Sequence, residues 1–111
     1  MERVIYKKVI NENKENRTEF LLINFDYEDG NDYLAKIFNK EFNMKVEEKK
    51  YYIWFSIIKL CKKNTCYELL WHEDIGNIIY SLEQDEDTVN ELELRLQKVL
   101  DVLNIKILES N

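Results

Sequence analysis

Proline is absent from this chain, and glycine, cysteine and histidine are scarce, at two, two and one residues. Each scarcity excludes something. Without Pro, no kink, cis bond or rigid turn is built from that residue. With only Gly30 and Gly76, no glycine-rich phosphate cradle can be written, which argues against a nucleotide enzyme. Two cysteines are too few for a disulfide scaffold and, with one His, too few for a four-ligand zinc site. No apolar run approaches the roughly 18–20 residues that span a bilayer. The longest cluster, Tyr51 to Cys61, is broken by Ser56 and Lys59. Met1-Glu2-Arg3 opens no apolar signal segment, so the expectation is a cytoplasmic protein with no membrane contact.

What is present is enough for a core. Leu, Ile, Val and Phe supply 36 of the 111 residues, which excludes disorder for the bulk of the chain. The length fits a single domain, 1–111. The net charge is −6 and the pI near 4.9, so a nucleic-acid partner is disfavoured by repulsion of phosphate. The charge is uneven along the chain. Residues 36–63 carry eight Lys against three Glu, whereas 73–111 carry ten acids against three bases.

Periodicity supplies the elements. Residues 3–10 and 18–27 alternate as two strands of a hairpin. Asp26 to Asp32 is an acidic loop ending in a helix N-cap, Asp29 or Asn31. Leu34, Ile37, Phe38 and Phe42 form the apolar stripe of an amphipathic helix that Asn43 can end. Lys45 to Glu48 reads as a short strand or the lead-in to a longer one. Tyr51 to Lys62 is the strongest strand, with apolar residues on both faces. After a turn at 62–65, Cys66 to Glu73 and Ile78 to Leu82 complete a meander. A last helix follows an acidic start, with Thr88 and Glu91 at capping-box spacing. Its stripe runs from Val89 to Leu103, Asn104 is its expected stop, and Ile105 to Leu108 is a candidate final strand. The order β-β-α-β-β-β-α-(β) predicts an α+β two-layer sandwich: a mostly antiparallel sheet with two amphipathic helices on one face.

Candidate chemistry is sparse. Cys61 and Cys66 flank a turn and could meet across a hairpin, but a reducing compartment favours two free thiols. His72-Glu73-Asp74 could bind a metal or act as a base, yet no further His or Cys ligands and no nucleophile elbow accompany it. Asp26, Glu28, Asp29 and Asp32 miss the calcium-loop spacing, because Asn31 and Ile37 fall where Gly and Glu are needed. Lys49-Lys50 and Lys62-Lys63 flank an aromatic strand in a pattern shared by base-stacking surfaces, and equally by strand ends blunted with charge. No catalytic residue, metal or cofactor is therefore assigned.

Seven Tyr and two Trp exceed what a core of this size readily hides. Tyr and Trp are typical interface anchors, and dense acid favours a basic partner. The expected function is a small acidic protein-binding module. A bacterial immunity or inhibitor protein that neutralises a basic toxin or nuclease by occlusion fits this description. Its candidate partner-binding residues are Glu73, Asp74, Glu83, Asp85, Glu86 and Asp87. The alternatives are a small-ligand or enzymatic domain with a cleft near His72, and a homodimeric structural component joined through strand 51–61. The chain is expected to be a monomer or a homodimer.

Overall fold

The computed structural model describes residues 2–109. Strands β1 (Ile5–Asn11) and β2 (Arg17–Ile23) form a hairpin closed by a 3-10 turn, Glu12–Lys14. Helix α1 (Gly30–Phe42) follows, and then four strands: β3 (Lys45–Tyr51), β4 (Phe55–Lys62), β5 (Thr65–His72) and β6 (Gly76–Ser81). Helix α2 (Glu86–Glu109) ends the fold. The strands make one six-stranded sheet in the order β1-β2-β6-β5-β4-β3, and every pair is antiparallel. The last strand of the meander returns to pair with the first hairpin, so β6 is central. This is the α+β two-layer architecture expected from the sequence.

Side chains alternate across a strand, so register decides what each face holds. One face carries Phe20 and Leu22 of β2, Ile58 and Leu60 of β4, Tyr67 and Leu69 of β5, and Ile79 of β6. Leu34, Ile37 and Phe38 of α1 and Leu92, Leu96, Val99, Leu100 and Leu103 of α2 pack on that face. Burying such side chains contributes roughly 1.5–3 kcal/mol each. Tyr67 lies at the centre, fully buried, with its hydroxyl accepting a bond from Arg95 Nη1 at 3.1 Å. Burial pushes the Tyr67 phenol above its ordinary value, against the pull of the Arg95 guanidinium.

Four expectations are corrected. The segment 51–62 is not one strand: β3 runs to Tyr51, the chain turns through 52–54 with Tyr52 N bonded to Phe55 O (2.8 Å), and β4 starts at Phe55. Strand β3 is an edge strand exposed along its whole length, which explains why it lacks apolar alternation. Its charges and a bulge between Val46 and Glu48 blunt that edge. Ile105–Leu108 is not a strand but the last turns of α2. Asn104 does not stop the helix. It is buried, its Oδ1 accepts from Val4 N (2.8 Å) and its Nδ2 donates to Val4 O (3.0 Å), so it pairs the backbone entering β1. Finally, the α2 cap is Asp85 rather than Thr88. Asp85 Oδ2 accepts from Thr88 N (3.1 Å) and Thr88 Oγ1 (2.8 Å). Among the described residues no helix is long and apolar enough to cross a membrane.

Asn104→Ala leaves both backbone groups of Val4 without partners in a buried setting. Urea denaturation should show a loss of about 2–4 kcal/mol, larger than for truncation of an exposed α2 residue such as Lys98.

Candidate functional site

Three connections meet at one end of the sheet. They are the β2–α1 loop (24–29), the β3–β4 turn (52–54) and the β5–β6 turn (73–75). Antiparallel register brings them together: Phe55 pairs with His72, His72 with Gly76, and Ile23 closes β2 on the same side. Asn77 fixes the first of them. It is fully buried, accepts from Tyr27 N (3.0 Å) and donates to Tyr27 O (3.3 Å) and Asn31 Oδ1 (3.0 Å). Trp71 Nε1 donates to Asp26 Oδ1 (3.1 Å), which ties the same loop to β5. Glu73 N donates to Trp54 O (2.9 Å), which ties the β3–β4 turn to the β5–β6 turn. Gly76 has φ +103°, a conformation that a side chain would strain, and it faces Asp26 across this junction.

Each of the three connections exposes at least one large apolar side chain. Ile53 is 85% exposed, Trp54 61%, Ile75 55%, Tyr27 53% and Tyr52 51%. Tyr52 stacks on Phe55 with centroids 4.5 Å apart, so the turn has internal support rather than a free end. The three connections carry Asp26, Glu28, Asp29, Glu73 and Asp74 and no Lys or Arg. Beside Tyr27, a cavity of about 350 Å³ opens between the β2–α1 loop and the end of α2, walled by Phe25, Tyr33, Leu103 and Ile107. Lys106 lies over the Tyr33 ring at 5.7 Å on its rim.

The six carboxylates singled out from sequence divide into two groups. Glu73 and Asp74 belong to this aromatic end. Glu83, Asp85, Glu86 and Asp87 follow β6 and start α2, a strand length away, about 20 Å. Lys62 and Lys63, at the β4–β5 turn, share that far end. The acidic block of the sequence is thus not one block in space. Asp85 is committed to capping, and its bonds from Thr88 hold its carboxyl below the ordinary value of 3.8. Sequence reasoning missed Tyr27, Ile53 and Ile75. For Tyr27 and Ile75 the available signal was an aromatic or β-branched residue inside a stretch rich in turn formers, and Ile53 had no such signal.

The remaining candidates are ordinary in structure. His72 Nδ1 accepts from Asp74 N (3.1 Å), a local turn contact. Lys49 pairs with Asp32 (2.6 Å), which raises its pKa above the usual lysine value, and Lys50 pairs with Glu48 (3.3 Å). Lys49 and Lys50 lie beside Tyr51 and Tyr52, whereas Lys62 and Lys63 lie at the opposite end of β4, so the two lysine pairs do not flank one surface. Cys61 and Cys66 are directly paired across the β4–β5 hairpin and joined as a disulfide, contrary to the expectation of free thiols. Glu47 brings a carboxylate oxygen within 4.8 Å of both sulfurs, but the sulfurs are in the disulfide and Glu47 pairs with Lys59 (3.3 Å). This trio is not assigned as a metal centre.

Asn77→Ala removes two hydrogen bonds that hold the β2–α1 loop and a third to Asn31 in the first turn of α1. Amide exchange at 25–29 should quicken well beyond that at 52–54, with a global cost of about 2–4 kcal/mol. Asp85→Ala tests the cap through pH. The folded carboxyl titrates below 3.8, so its contribution is complete above that value and is lost as pH falls through the lowered one. The Tm gap between wild type and D85A should therefore be constant near neutrality and close in strong acid; a gap independent of pH would contradict the cap.

No protein-family model, no curated protein and no solved structure matches the chain.

Proposed function

We propose that the chain is a small protein-binding module that covers a basic partner protein through its aromatic end. Occlusion of a cationic toxin or nuclease, as an immunity or inhibitor protein does, is the activity this reading favours. The observation that carries it is the exposed group Tyr27, Tyr52, Ile53, Trp54 and Ile75 set among five carboxylates with no Lys or Arg on the same connections. Large aromatic side chains anchor interfaces by burying area at low entropic cost. Carboxylates around them steer a cationic surface and discriminate against an anionic one. The cavity beside Tyr27 gives a partner's apolar side chain a place to insert. The acids at 83–87 lie at the other end and serve the start of α2, so the proposed surface excludes them.

The test separates the two acidic groups. A partner captured from extract of the source cells is purified, and its binding is followed by surface plasmon resonance. Reversing Glu73 and Asp74 to Lys should slow association about tenfold or more at low salt, with the difference fading at high salt. Trp54→Ala should act on dissociation and cost about 2 kcal/mol or more. Reversing Glu86 and Asp87 should leave binding within about twofold. Binding that is indifferent to the first pair and lost with the second would overturn the assignment.

A further inference from the structure

Both helices pack on the Tyr67 face, and among the described residues the opposite face of the sheet has no covering layer. We infer that this open face is where two copies of the chain stack, sheet on sheet, as a homodimer. The register is specific. Lys50, Ile57, Leu70, Ile78, Leu21 and Lys7 stand in one continuous row across all six strands. Its four central members are apolar and only its two edge members are charged. The neighbouring row adds Phe55, Ile23 and Ile5, also pointing away from the helices. A solvated sheet face should alternate to polar residues at these positions. Ile78 is buried yet belongs to no part of the core under the helices, so an apolar floor already exists on this side.

Charge and area choose the occupant. Several charges on this face are paired within the chain: Arg17 with Glu19 (2.7 Å), Lys59 with Glu47 (3.3 Å) and Lys50 with Glu48 (3.3 Å), while Lys7 and Glu68 stand outside these ion pairs. The Arg17 guanidinium also covers the Tyr80 ring at 3.6 Å, and the Tyr80 hydroxyl donates to Glu68 (2.6 Å). A net charge of −6 opposes self-association everywhere that acid is unpaired, and this face is where that repulsion is smallest. A strongly charged partner would find little here to pair with, whereas an identical face matches apolar row against apolar row. Six strands of about seven residues present about 650 Å² in projection, so two copies would bury about 1,300 Å². That falls within the roughly 1,200–2,000 Å² of stable interfaces, and apolar centres of this kind mark homodimers.

Sedimentation equilibrium of the full chain tests the inference. The expected mass is twice the 13.6 kDa of one chain at micromolar concentration, with little dependence on salt. Leu70→Glu should return it to the mass of one chain with its far-ultraviolet circular dichroism unchanged, whereas Ile53→Ser at the aromatic end should leave the dimer intact. Hydroxyl-radical footprinting of the unmodified chain needs no variant: reactivity at Phe55, Leu70 and Leu21 should fall as concentration rises, while Ile53 and Trp54 stay reactive. A single-chain mass near millimolar concentration overturns the inference. So does a dimer that survives L70E, one lost in I53S, or a footprint that concentration does not change.

Discussion

An antiparallel sheet has two faces, and this chain has helices for one of them. That asymmetry governs the rest of the structure. The Tyr67 face is closed by α1 and α2, with the buried Tyr67 hydroxyl satisfied by Arg95. A domain of this size draws most of its stability from one such layer-to-layer contact. What the helices do not cover must be solvated, internally paired or used. The other face pairs several of its charges internally and is apolar along one row. The two ends of the sheet are left to the connections.

The ends differ in kind. At the end that carries the 3-10 turn and the start of α2, the connections are polar and acids and lysines mix. Helix capping accounts for one of the four acids that the sequence emphasised there, Asp85. At the opposite end the connections carry Trp, Tyr and Ile into solvent. They are held in place by buried polar groups, Asn77 above all. Leaving large apolar side chains in water forgoes the stabilisation that burying them would bring, a cost that a merely polar turn avoids. The proposal of a binding surface rests on that expense.

The sequence made the architecture legible where burial follows a single period. The stripes Leu34-Ile37-Phe38 and Leu92-Leu96-Val99 found both helices, and alternation found the hairpins. It failed where composition and burial part company. The aromatic turn 52–54 has the residue types of a strand, because β-propensity reflects a half-buried pleated surface rather than the backbone itself. Strand β3 has the residue types of a loop, because as an edge strand it buries neither face. Ile105-Lys106-Ile107-Leu108 reads as β-branched, yet Leu100, Leu103 and Ile107 continue the helical stripe onto the core. Asn104 looked like a stop because Asn favours helix ends, and the backbone of Val4 supplied the partner that lets it stay inside. Of the candidate site, Glu73 and Asp74 were legible as acids at a turn. Their proximity to Tyr27 and Trp54 was not, since it depends on long-range register.

The central claim is that recognition occurs at the aromatic end. Hydrogen–deuterium exchange of the chain, free and bound to its captured partner, measures it most directly. The account predicts new protection confined to residues 25–29, 52–56 and 72–76. Protection at 83–91 with those three segments unchanged would contradict it.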